Sequence, residues 1–233
     1  MKSFNFFMPS QIRFGAGRIN EIKDLSSGLG SKCLMVSRPV NGSQKRTYKK
    51  INAILKEAGV AVFHFDEIVP NPTTEGVENG IKKAVEHQVH FILGVGGGSV
   101  MDSAKLIAFF YNKEAKLEWD DAIEKYSNPF AVGKSPSEAL PFVAVSTTSG
   151  TGSQSTQAAV VTDTVNKNKV TIFHSGLFPS VSIIDPELML SVPAQVTAAT
   201  GFDAFTHAFE SYLGNMTSPL TETMSLQAIK IVF

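Results

Sequence analysis

Cysteine is nearly absent from this 233-residue chain. Cys33 is the single one, set in the apolar run CLMVS with no second thiol to bridge. That excludes a disulfide framework, fits a reducing compartment and makes Cys33 a small core residue. Net charge is also absent, with Lys+Arg and Asp+Glu at 21 each and no run of five or six like charges. No field draws the chain to nucleic acid or to an anionic membrane. The nearest approach to a basic cluster, SQKRTYKK at 43–50, reads as the solvated start of a helix. Nowhere do eighteen apolar residues run together, and the opening MKSFNFFMPSQIRFGAG lacks the apolar core of a signal peptide. The expectation is a soluble cytoplasmic protein. No repeat or low-complexity segment is visible, and 43% hydrophobic against 18% charged residues is enough to bury a sizeable core.

Short apolar runs at 32–37, 60–65, 90–95 and 141–146 have strand character. They are rich in β-branched or aromatic residues and bounded by Gly, Pro or polar residues, as strands buried on both faces should be. Between the first three lie stretches in which Ile51, Ile54 and Leu55, then Val77, Ile81 and Val85, recur at helical spacing. Alternation of strand and helix predicts an α/β fold, a doubly wound, Rossmann-like parallel sheet with helices on both faces. AAVVTD and KVTIFHS, joined by a polar turn, predict a β-hairpin, and VSIIDPEL one more buried strand. Beyond Pro193 the pattern is helical, with Pro193 read as a first-turn residue and Ser218–Pro219 opening a second helix. The expected boundary therefore divides an α/β domain at 1–187 from the start of an all-helical domain at 188–233. Because the last helix runs out on the apolar IKIVF, the chain is expected to stop inside an element of a longer fold.

Two loops have the chemistry to hold a dinucleotide. In HFILGVGGGSVMDSAK a buried strand runs into Gly96, Gly97 and Gly98, and Ser99 opens a helix. Glycines let a backbone approach a phosphate closely, and the amides and dipole of a helix N-terminus favour negative charge there. Ser99 and Asp102 are spaced as a variant capping box. The cluster is not the first-strand GxGxxG fingerprint, and a plain glycine turn stays open. The second loop, VSTTSGTGSQS, offers the hydroxyls of Thr147 and Thr148 among others, with a flexible polar turn as its bland alternative.

In GFDAFTHAFESY, at about 100° per residue, Asp203, His207 and Glu210 fall within roughly 60° of one another on a helix. Phe202, Phe205, Phe209 and Tyr212 form an apolar packing face on nearly the opposite side. A carboxylate and an imidazole at i, i+4 can reach one ion, yet two ligands alone hold it weakly. On spacing alone a solvated face outweighs a metal site. His64, His87, His90 and His174 show no ligand spacing and read as structural or exposed.

Taken in order, GVGGGSVMDSAK, VSTTSGTGSQS, SIIDPELMLSVP and TGFDAFTHAFESY resemble the iron-dependent (group III) alcohol dehydrogenases. The resemblance implies a dehydroquinate synthase-like fold, in which an α/β dinucleotide-binding domain precedes an all-helical metal domain and the active site lies between them. It implies pyrophosphate contacts at Gly96, Gly97, Gly98 and Ser99, and nicotinamide-side contacts at Thr147 and Thr148. Further NAD(P) contacts are implied at Asn71 in VPNPT and Lys169 in NKNKVTIF. Asp203 and His207 become two of four ligands to Fe2+, with Zn2+ possible, and the other two are implied beyond Phe233. Arg38 stands where many NAD-using relatives carry an aspartate, which leans the cofactor towards NADP. The implied activity is NAD(P)-linked oxidation of a short alcohol or diol, or reduction of the aldehyde, in a homodimer or larger homo-oligomer. Two alternatives stay open: a non-catalytic nucleotide-binding fragment, and a zinc polyol dehydrogenase relative.

Overall fold

The computed structural model describes residues 3–40, 44–112, 114, 117–130 and 135–233. Gly42 and Ser43, expected to open the helix after the first buried strand, lie outside them. The strands are β1 (Gln11–Phe14), β2 (Lys32–Val36), β3 (Ala61–Phe65), β4 (Phe91–Gly96), β5 (Phe142–Ser146), β6 (Ala158–Asp163), β7 (Asn168–Phe173) and β8 (Val181–Ile184). The helices are α1 (Ile22–Ser27), α2 (Gln44–Glu57), α3 (Thr74–Glu86), α4 (Gly98–Phe109), α5 (Trp119–Tyr126), α6 (Ala194–Leu213) and α7 (Pro219–Val232). Six strands pair in parallel in the order β1-β8-β5-β4-β2-β3, and β6 and β7 form a separate antiparallel hairpin.

The sheet is covered on both faces, which is why its central strands read as unbroken apolar runs. Leu34, Val36 and Ile92 point into one core with residues of α3, α4 and the hairpin. Cys33, Met35, Phe91, Leu93 and Val95 point into the other with Ile51 and Leu55 of α2. From β2 the chain moves outward to β3, then returns past β2 to β4 and continues the other way to β5. The sheet therefore has a reversal point between β2 and β4, the place where open α/β sheets form a crevice at their carboxyl ends.

Three elements are absent from the sequence reading. β1 is a four-residue edge strand whose residues are mostly exposed, so it has no hydrophobic signature. α1 and α5 are short, and α5 is held by tertiary contacts such as the Trp119 indole donating to Glu78 Oε1 at 2.9 Å. At the far end, Pro193 is the N-cap of α6 and not a first-turn residue. α7 begins as expected, with Ser218 and Thr221 exchanging backbone bonds in a capping box and Pro219 behind them. The aromatic face of α6 is not covered in the expected way. Phe205 packs edge-on against Phe233 at 5.4 Å, while Phe202 remains 67% exposed, because α6 and α7 pack chiefly on each other.

Two helical glycines give opposite predictions. A Cβ on Gly80 of α3 would stand 2.2 Å from Ile107 Cδ1 of buried α4, whereas one on Gly201 of α6 would meet open space. Alanine gains about 1 kcal/mol of helix propensity over glycine, and overpacking a core costs about 1–3 kcal/mol. Gly80→Ala is therefore expected to lower stability in urea unfolding and Gly201→Ala to raise it, with the two midpoints moving in opposite directions.

Candidate functional site

The carboxyl ends of β2, β4 and β5 carry the loops singled out in the sequence, and packing fixes how close they come. α4 begins at Gly98 with Gly97 as N-cap, and no side chain caps its first turn. Val100 N–H donates back to Gly97 O, and the uncapped Gly98 and Ser99 amides have the chemistry of an anion seat. The expected Ser99–Asp102 capping box does not form. Ser99 lies inside the first turn, where its hydroxyl accepts the Asn71 N–H at 3.3 Å, and Asp102 turns the other way. The glycines answer to a close approach. A Cβ on Gly97 would lie 2.6 Å from Thr148 Oγ1, and one on Gly98 would lie 2.7 Å from Thr151 Cγ2. The first loop thus touches the second through bare backbone.

Asn71 adopts a left-handed φ of 58°, and its loop is tied down where the Thr162 N–H donates to Pro72 O at 2.7 Å. From there its side-chain Oδ1 accepts from Lys169 Nζ at 3.2 Å, which brings together two candidate residues 98 positions apart. On α6, Asp203 Oδ1 and His207 Nε2 are 3.9 Å apart, with about half of each side chain exposed. The second loop meets that helix at two points. Ser149 and Thr200 share a hydroxyl hydrogen bond of 2.9 Å, and the left-handed Gly150 would put a Cβ 2.8 Å from Asp203 Oδ2.

Two cavities result, each of about 390 Å3. One is lined by Asn71, Gly98, Ser99, Lys169, Asp203 and His207 together with Asp102. The other joins Arg38, Gln44 and Tyr48 to Thr147, Thr148 and Pro193. Thr147 and Thr148, expected to meet the nicotinamide side of a cofactor, line the cavity that also holds Arg38, while Thr151 and Ser153 of the same loop line the one with Asp203. Gly96 and Gly97 line neither cavity; they form the floor between the two. Thr147 Oγ1 is buried with no hydrogen-bond partner, an acceptor and donor left over for a group not supplied by the described residues. Glu210 is exposed and lines neither cavity.

The open amides, the glycine cradle and the spare Thr147 hydroxyl fit a phosphate-bearing nucleotide. Carboxylate with imidazole is a donor set suited to divalent iron or zinc. Among the described residues no group of three or more His, Cys, Asp or Glu converges on one point, so Asp203 and His207 fit as half of a four-ligand site. The other histidines are engaged elsewhere: His64 Nε2 with Ser37 Oγ at 2.8 Å, His90 Nδ1 accepting from the Ser31 N–H, His174 Nδ1 from the Gly176 N–H, and His87 stacked on Phe63.

Sequence reasoning missed a polar network at the wall of the cavity that holds Asp203 and His207. Lys105, wholly buried, donates from Nζ to Ala158 O at 2.7 Å and to Thr156 Oγ1 at 3.1 Å. Asp102 accepts from Ser153 Oγ at 2.6 Å and from the Val160 N–H at 3.2 Å. Burial pushes the Asp102 carboxyl up, against the opposing pull of the Ser153 hydroxyl and the Lys105 ammonium. Burial pulls Lys105 down to about 8, with Asp102 opposing. The signal was present in SAKLIAFF, where a lysine in the middle of an apolar helix demands a partner.

The depressed lysine has a sign that can be measured. Folded Lys105 loses its proton near pH 8 and the unfolded side chain near 10.5, so between them the unfolded chain binds more protons and stability rises with pH. Cys33 opposes this above pH 9, since burial raises the folded thiol to about 12. Comparing the parent with Lys105→Met cancels the thiol. The parent is expected to gain on the variant between pH 7.5 and 10.5, by at most about 3 kcal/mol at ~1.4 kcal/mol per pKa unit. A difference in unfolding free energy that stays flat over this range would refute the assignment.

Comparison with known proteins points to one family. The family described as iron-containing alcohol dehydrogenase matches residues 9–186, and the C-terminal part of the Fe-containing alcohol dehydrogenase family matches 197–233. The chain is 35% identical over 233 residues to a 1,3-propanediol dehydrogenase of Klebsiella pneumoniae, covering 99% of this chain and 58% of that protein. It is 34% identical over 229 residues to an NADPH-dependent butanol dehydrogenase of Clostridium saccharobutylicum, covering 97% and 56%. An archaeal halo-thermophilic alcohol dehydrogenase from a Red Sea brine pool, solved bound to NZQ, superposes with a TM-score of 0.90 at 31% identity, over 100% of this chain and 58% of the other. The chain spans a little over half the length of these relatives. By sequence and by fold it belongs to the iron-containing alcohol dehydrogenase family.

Proposed function

We propose that this chain carries the dinucleotide-binding domain, residues 1–187, and the first part of the helical metal-binding domain, residues 188–233, of a metal-dependent NAD(P)-linked alcohol dehydrogenase or aldehyde reductase. The observation that carries this reading is the single cavity in which Gly98 and Ser99 of the phosphate loop face Asp203 and His207. A hydride can pass only between groups held in one cleft.

The first-turn amides at Gly98 and Ser99 hold the pyrophosphate, with Gly96 and Gly97 leaving room for its approach. Arg38 binds the adenosine end in the other cavity, beside Thr147 and Thr148, and its guanidinium favours a 2′-phosphate, so NADP is the cofactor preferred here. Asn71 and Lys169, joined to each other and to Ser99, orient the nicotinamide half and place a cation beside it. Asp203 and His207 hold Fe2+, or Zn2+ in its place. The chemistry such an ion supplies when bound is Lewis acidity, which makes an alcohol hydroxyl more acidic or a carbonyl more electrophilic. The relatives' names support short alcohols or diols as substrates, and a homo-oligomer in the cytoplasm is the setting we infer for the parent enzyme.

A second reading, a nucleotide-binding piece without turnover, is favoured by the donor count, because two ligands are half of what a tightly held ion takes. One experiment separates the two readings. The chain is reconstituted anaerobically with Fe2+ and assayed for 1,3-propanediol oxidation, with metal content and NADPH binding measured on the same sample. The enzyme reading expects turnover that Asp203→Ala and His207→Ala abolish while NADPH binding is kept. Nucleotide binding with no stoichiometric metal and no turnover supports the second reading.

Cofactor choice is tested separately. Removing a charge-assisted hydrogen bond worth about 1.5–3 kcal/mol corresponds to a tenfold or larger loss. Arg38→Ala is expected to weaken NADPH binding at least about tenfold and to leave NADH nearly unchanged; equal losses for both would rule out a 2′-phosphate contact.

A further inference from the structure

Asp102 and Ser153 do nothing in the reaction proposed above, yet they join its two halves. Asp102 sits on α4 three residues after Ser99, on the helix whose first turn forms the anion seat. Ser153 lies three residues after Gly150, on the loop that touches everything else. That loop presses Thr151 against Gly98 and Gly150 against Asp203, and Ser149 bonds Thr200 of α6. Its far side is tied to the core by the Ser182 hydroxyl donating to Gln154 O and by Lys105 donating to Thr156 Oγ1.

Resting on the nucleotide-binding reading, we propose that Asp102 is a positioning residue: through Ser153 it holds the 147–157 loop at one spacing between the phosphate seat and Asp203. The loop contains two left-handed glycines, Gly150 at φ 100° and Gly152 at φ 65°, so its backbone has little stiffness of its own. A charged acceptor 2.6 Å from the Ser153 hydroxyl supplies the missing constraint. The same carboxylate takes the Val160 N–H, so the middle of the loop and the strand it feeds are fixed from one point on α4. Burial makes this carboxyl a weaker acid, and the bonds from Ser153 and Val160 together with the nearby Lys105 cation oppose that shift and favour the acceptor form. Loss of the link loosens the wall shared by both cavities while the sheet beneath stays intact.

The test measures ADP-ribose affinity by calorimetry for the parent, Ser153→Ala, Asp102→Ala and the double variant, with amide hydrogen exchange on each. We expect each single variant to bind about tenfold more weakly and the double no more weakly than either, the non-additivity of groups acting through one bond. Faster exchange is expected in residues 147–157 and around Asp203, with β4 amides unchanged. Asp102→Ala leaves Lys105 without its counter-charge, so if that variant fails to fold, Ser153→Ala decides alone. Parent-like affinity in Ser153→Ala, additive losses, or exchange that rises throughout the chain would each overturn the proposal. A parent chain that binds no ADP-ribose defeats the nucleotide reading and this proposal together; a parent that binds while Ser153→Ala matches it defeats this proposal alone.

Discussion

The close approach of two bare backbones at the carboxyl ends of β4 and β5 governs this molecule. A methyl group at Gly97 or Gly98 would enter the space of Thr148 or Thr151, and at Gly94 it would press on Ala104 and Phe142 at 3.0 Å. Three glycines along one strand-turn-helix therefore let α4 lie against the sheet and let the second loop lie against α4. Both cavities open on either side of that contact. Their positions are set by what is missing from side chains, a constraint that leaves almost no freedom for substitution.

The hairpin of β6 and β7 has a second consequence. Laid over α4, it buries a helix that would otherwise face solvent, and with it Lys105 and much of Asp102. A buried lysine is costly in isolation, and the structure offsets that cost with two hydrogen bonds and a nearby carboxylate. In return the hairpin brings Lys169 from the far side of the fold to Asn71, which neither the sheet nor α4 could do. The polar core and the reach of Lys169 are two results of the same packing.

The sequence was readable where the physics is local. Central strands buried on both faces show as apolar runs, the hairpin as alternation about a polar turn, and the start of α7 as Ser-Pro. It was unreadable where a third element decides. β1 pairs with β8 across some 170 positions and leaves most of its side chains exposed, so nothing in QIRF marks a strand. Asp102 was taken for a helix cap because its spacing from Ser99 allows one; its true acceptor role spans 51 positions to Ser153. For Asp203 and His207 the helical spacing was right, and what it could not provide was the loop pressed against Asp203. The nearness of Thr147 and Thr148 to Arg38 was likewise out of reach, since it depends on β5 lying beside β4 in the sheet.

The pairing of β1 with β8 also orders events in time. β1 is synthesised some 170 residues before the strand it needs, which arrives only after β2 to β7 have been made. Until then Gln11–Phe14 has no partner, and four residues cannot hold a strand conformation alone. β2, β3 and β4, close in sequence, can assemble early, so the nascent chain carries a half-built sheet whose last step is the docking of β1 on β8. Long-range parallel closure of this kind is slow, and it exposes a free strand edge while it waits. For this protein the demand on chaperones falls at β1 and its waiting partner edge rather than at the glycine loops.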